Sequence, residues 1–95
     1  MEITEVRVRP VEEPKLKAWV SVTFDSVFVV HQIRIIDNGP GGLRVFMPAR
    51  RMPDGTTFKD YAHPLNKEFR KKIEDTVVEA YKAKLAEGQN ASDHN

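Results

Sequence analysis

The chain has no cysteine, which excludes disulfides and thiolate metal sites. It has no apolar run near the about 20 residues that a membrane-spanning helix needs. The opening is charged by Glu2 and has no apolar core behind it, so it does not read as a signal peptide. These absences lead us to expect a cytoplasmic protein that makes no membrane contact. Phosphate-binding loops are also missing. The glycine-rich Asn38–Gly42 segment has neither a Gly-Lys-Ser/Thr sequence nor a GxGxxG opening a helix, so its glycines read as turn residues. There is no HExxH, no nucleophile motif and no paired-carboxylate signature. His31, His63 and His94 are far apart in the chain, and the first two read as hydrogen-bonded structural residues. Neither an enzyme, a cofactor nor a small-molecule substrate is expected.

What is present is a concentration of positive charge. The net charge is only +1. Yet Arg44–Lys72 holds eight bases and three acids, a balance of +5 that leaves −4 for the other 66 residues. Segregation of this kind on a near-neutral chain is expected of a polyanion binder. At its centre lies Phe46–Asn66, which carries Pro48, Pro53 and Pro64. So much proline rules out a continuous helix or a central strand. This segment reads as a shaped excursion, with a Pro53-Asp54-Gly55 turn projecting Arg50 and Arg51 at a loop edge.

The rest reads as strands followed by a helix. Ile3–Arg9 and Leu16–Phe24 alternate with period two, and the inward set of the second is Leu16, Ala18, Val20, Val22 and Phe24. Asp25–Ser26 suits a tight hairpin. Val27–Asp37 is apolar at both parities, with Val27, Val29, Ile33 and Ile35 on one side and Phe28, Val30 and Ile36 on the other. That pattern suggests a strand buried on both faces. One helix can cover only one face of a sheet, so a second copy of the chain is expected on the other. Trp19, Phe28 and Val30 are the candidate homodimer contacts. Leu43–Met47 reads as a fourth strand and Thr56–Ala62 as a possible fifth. Asn66 is a suitable N-cap for a helix with a Phe69, Ile73, Val77, Tyr81, Leu85 stripe that ends at Gly88. Gln89–Asn95 reads as a disordered polar tail. Lys67, Arg70 and Lys71 crowd the first helical turns, where cations oppose the helix dipole and a bound anion would offset the cost. Glu74 and Asp75 at i+4 could also compensate. The expected fold class is α+β, an antiparallel sheet of four to five strands followed by one long C-terminal helix, in a single domain over residues 1–88.

Several blocks in this order resemble the SpoVG family of bacterial sporulation and septation proteins. They are Met1-Glu2-Ile3-Thr4-Glu5-Val6-Arg7-Val8-Arg9, Phe28–Asp37, Gly42–Pro48, Arg51-Met52-Pro53-Asp54-Gly55, Phe58-Lys59-Asp60 and Ala62-His63-Pro64-Leu65-Asn66. Ala49 departs from the Ser or Thr that many members carry before the basic pair. The resemblance implies a small dimeric regulator that binds DNA, and in some members RNA, with links to septum formation and sporulation. Its nucleic-acid-binding residues would be Arg50, Arg51, Lys59, Lys67, Arg70 and Lys71. The rival expectation is an adaptor in septum formation whose basic segment docks an acidic protein without touching nucleic acid.

Overall fold

The computed structural model describes residues 1–94, the side chains of 88–94 excepted. The helix does not end at Gly88, as its glycine suggested, but runs on to His94. Of the tail read at 89–95, only Asn95 lies outside the described residues. The element order is β1 (Ile3–Pro10), β2 (Leu16–Phe24), β3 (Phe28–Asp37), β4 (Leu43–Phe46), β5 (Ala49–Arg51), β6 (Phe58–Asp60) and α1 (Lys67–His94). Strands β1 to β4 form an antiparallel meander in sequential order, and β5 and β6 form a separate two-stranded ribbon. The fold is therefore α+β with a four-stranded sheet and one C-terminal helix. The possible fifth strand does not extend that sheet. It shortens to β6 and pairs with β5.

The alternation of β2 sets the core. Ala18, Val20, Val22 and Phe24 are buried, and the residues between them are half-buried. Ile33 and Ile35 of β3 and Val45 of β4 join them, and α1 lays Ile73, Val77 and Tyr81 across this face. The i, i+4, i+8 spacing puts those three on one helical stripe. Phe69 sits at the near end of the stripe, its ring centroid 5.8 Å from that of Phe24. Burying side chains of this size contributes about 1.5–3 kcal/mol each.

The connections follow their local chemistry. Asp25 and Ser26 both adopt positive φ, 52° and 58°, and the Val27 N–H donates to the Phe24 carbonyl at 3.0 Å. Phe24 pairs with Phe28, so the connection is the three residues Asp25–Val27 and not the two expected, with the positive φ values supplying the twist a tight hairpin needs. The Asp25 carboxylate accepts the Glu2 N–H at 2.8 Å, and Thr4 Oγ1 accepts the Ser26 N–H at 2.9 Å. The turn is thus clasped by the start of the chain. After β3, Gly39 and Gly42 adopt φ of 69° and 76° around a short 3-10 turn.

The expected facing of β3 needs correction. Val20 pairs with Ile33 but Val22 pairs with Val30, so β3 carries one extra residue between those rungs. Gln32 absorbs it at φ 64°, a β-bulge. Because a bulge reverses side-chain parity, Phe28 and Val30 lie on the same face as Ile33 and Ile35. The strand is not buried on both faces. On its helix side the strand presents Phe28 and Val30 before the phase shift and Ile33 and Ile35 after it, while Val29 and Ile36 stay on the other face.

Candidate functional site

The ribbon is built by its brackets. Pro48 and Pro53 leave room for only three paired residues in β5, and the Tyr61 N–H closes the base onto the Pro48 carbonyl at 2.8 Å. At the tip the Gly55 N–H donates to the Met52 carbonyl at 2.9 Å, and Gly55 takes the left-handed conformation, φ 80°. Asp54 organises the return. Its carboxylate accepts the Thr57 hydroxyl at 2.6 Å and the Thr57 and Thr56 N–H groups at 2.9 and 3.0 Å. These bonds favour the ionised form, the Thr57 hydroxyl most of all, and hold the Asp54 pKa below its usual value.

The basic pair therefore sits on a strand and not at a loop edge. Successive strand residues point to opposite faces, so Arg50 and Arg51 diverge. Arg50 is directly opposite Lys59, and both are exposed. Arg51 is directly opposite Phe58, with its guanidinium carbon 5.5 Å from the ring centroid. Asp60 shares the face of Arg51 and Phe58, two residues along β6, so the Arg50–Lys59 face of the ribbon carries no acid of its own.

A second group of cations opens α1. Asn66 Oδ1 accepts the Phe69 N–H at 2.7 Å, the side-chain cap its identity predicted. Lys67 is exposed and Arg70 half-buried. Lys71 Nζ lies 3.0 Å from Asp75 Oδ2, so one of the two i+4 compensations is realised. The Arg70–Glu74 pair of equal spacing is not. Among the described residues, Arg50, Arg51, Lys59, Lys67 and Arg70 form no ion pair. The structure thus joins Arg50 with Lys59, turns Arg51 to the other side, and leaves the helix-start cations on a separate element, which packs against β1, β4 and β2.

The three residues expected at a dimer contact are also divided. Phe28 and Val30 line an apolar groove of about 620 Å³ with Met1, Phe24, Leu65 and Phe69. Phe28 is 62% and Leu65 95% exposed. Trp19 lies on the opposite face of the sheet, between Arg9 and Arg34. The sequence marks Trp19 as a candidate dimer contact but does not reveal its arginine neighbours across the sheet. The signal for one of them, Arg9, was present in the alternation of Arg7 and Arg9 with Val6 and Val8. His31 and His63 are hydrogen-bonded as expected, His31 Nδ1 to Ser21 Oγ at 2.7 Å and His63 Nδ1 to the Pro64 carbonyl at 3.0 Å.

Sheet, helix and basic ribbon make this a small α+β protein with a four-stranded antiparallel sheet and one C-terminal helix. The SpoVG family model matches residues 1–83, and the chain belongs to that family. It is 53% identical over 88 residues to a "Putative septation protein SpoVG" of Anaeromyxobacter sp. (strain Fw109-5), covering 93% of this chain and 89% of the relative. Proteins of the same name from Caldicellulosiruptor saccharolyticus and Clostridium beijerinckii are 48% and 51% identical. They cover 94% and 92% of this chain and 100% and 94% of their own lengths.

Proposed function

We propose that the protein is a homodimeric nucleic-acid-binding regulator that acts on DNA, and on RNA as a second substrate, in the control of septation. The Arg50–Lys59 pair carries this reading. Like charges directly opposite each other across two strands destabilise the pairing, and no carboxylate on that face relieves them. A phosphate would. Arginine offers a two-pronged contact to phosphate or to a guanine edge, and a two-stranded ribbon is narrow enough for the major groove. Lys67 and Arg70 add phosphate contacts at the helix start, with Lys71 shared between Asp75 and the ligand. Lys67 stands where the helix dipole also favours an anion.

The homodimer reading draws on the groove around Phe28. An exposed apolar patch of this kind marks a contact surface, and a second copy would bury Phe28, Val30 and Leu65. The septation link rests on the names carried by the relatives. The experiment is a gel-shift titration over a range of salt concentrations with duplex DNA. Replacing Arg50 and Arg51 together by alanine should weaken binding and flatten the salt dependence. Unchanged affinity and slope would reject the ribbon as the contact. No binding at low salt, even by the unaltered protein, would favour the septum adaptor.

A further inference from the structure

We propose that the face of the four-stranded sheet turned away from α1 is a stacking platform for single-stranded nucleic acid. The proposal rests on nucleic-acid binding as such but not on the ribbon, and it concerns different residues. One rung crosses all four strands on this face. Arg9 pairs with Trp19, Trp19 with Arg34, and Arg34 with Phe46. Cation and aromatic plane alternate along it. Neighbouring strands lie about 4.8 Å apart, so the two rings are about 10 Å apart with one guanidinium between them. That guanidinium is already stacked, with its carbon 5.7 Å from the Phe46 centroid.

The adjoining rung is polar. Arg7 pairs with Ser21, which is hydrogen-bonded to His31. Arg7, Arg9, Trp19, Ser21 and His31 line a hollow of about 480 Å³. Arg7, Arg9 and Arg34 outweigh the face's acid, Glu5, which is already paired with Arg7 at 3.2 Å. Positive charge that tracks a backbone, with flat aromatic surfaces for bases, is how sheets hold unpaired strands without reading their sequence. A duplex hides its base faces and cannot use such planes. The bulge at Gln32 contributes by sending Phe28 and Val30 to the helix side, so that of β3's apolar residues only Val29 and Ile36 share this face with the arginines and aromatic rings.

Trp19 is the single tryptophan of the chain, so its fluorescence reports directly on the platform. Titration of the full chain with oligo-dT and oligo-rU ten-mers should quench it, and the two oligonucleotides separate DNA from RNA as the source of the strand. Trp19→Ala should weaken oligonucleotide binding, followed by anisotropy of a labelled strand, about tenfold. Arg9→Gln with Arg34→Gln leaves the tryptophan in place. It should lower the salt slope of single-strand binding by about 1.4, the value for two phosphates. Arg50→Ala with Arg51→Ala should lose duplex binding while oligonucleotide quenching persists, so failure of the ribbon reading and failure of this one are distinguishable. The proposal is overturned if neither oligonucleotide binds, or if one binds without changing Trp19 emission. A blue shift of that emission with protein concentration alone would also overturn it, by showing that a second copy occupies the face.

Discussion

Arg50 and Lys59 stand directly opposite each other across a two-stranded ribbon, with no carboxylate on their side of it. Replacing both by alanine should leave thermal stability unchanged or raise it by a few tenths of a kcal/mol, because the strands shed a repulsion. Duplex affinity should fall, and the slope of log K against log salt should become shallower by about two. A calorimetric melt and a salt titration check the two halves separately. A lower melting temperature would mean that the pair is relieved within the fold.

Asp54 gives the ribbon tip a pH limit. Its pKa is lowered by the Thr57 hydroxyl and by the Thr57 and Thr56 amides. A depressed carboxylate stabilises the folded tip fully above the ordinary aspartate value of about 3.9. That contribution is lost as pH falls through the depressed value. An NMR titration of the Thr57 amide should therefore show its transition on the acid side of that ordinary value. Asp54→Asn should remove the transition. A midpoint at or above the ordinary value would contradict the arrangement.

Gln32 holds a left-handed backbone inside a strand. That conformation costs a residue with a Cβ about 1–2 kcal/mol. Gln32→Gly should then stabilise the protein by up to about 1 kcal/mol, and Gln32→Val should destabilise it by more than 1 kcal/mol because branching at Cβ worsens the clash. Urea midpoints decide. A stable valine variant would mean that β3 runs without the bulge.

Asn66 caps α1 through a 2.7 Å bond to the Phe69 N–H. Asn66→Ala should cost about 1 kcal/mol, and Asn66→Asp should restore most of it. Equal stability of all three chains would show that the cap contributes nothing.

Much of this architecture is legible in the residues, and the failures have identifiable causes. The β2 bounds and buried set follow from strict alternation, and the Asn66 cap from its side chain. The β3 facing is not legible in the same way. Phe28 and Val30 share one parity and Ile33 and Ile35 the other, a pattern common to a doubly buried strand and to a strand with a phase shift. Only the pairing with β2 distinguishes them, and Gln32 carries none of the usual marks of a bulge. The basic pair was misread because Pro48 and Pro53 mask the three residues of strand between them. Spacing alone could not choose between Arg70–Glu74 and Lys71–Asp75, since both fit and only one closes.

The ribbon hangs from the rest of the molecule by its base, where Tyr61 meets Pro48, and its exposed residues contribute nothing to the core. Substitutions there put little of the folding free energy at risk. The ribbon's side chains can therefore be exchanged one by one with the four-stranded scaffold left standing, so that any loss of activity reads on the ribbon itself and not on folding.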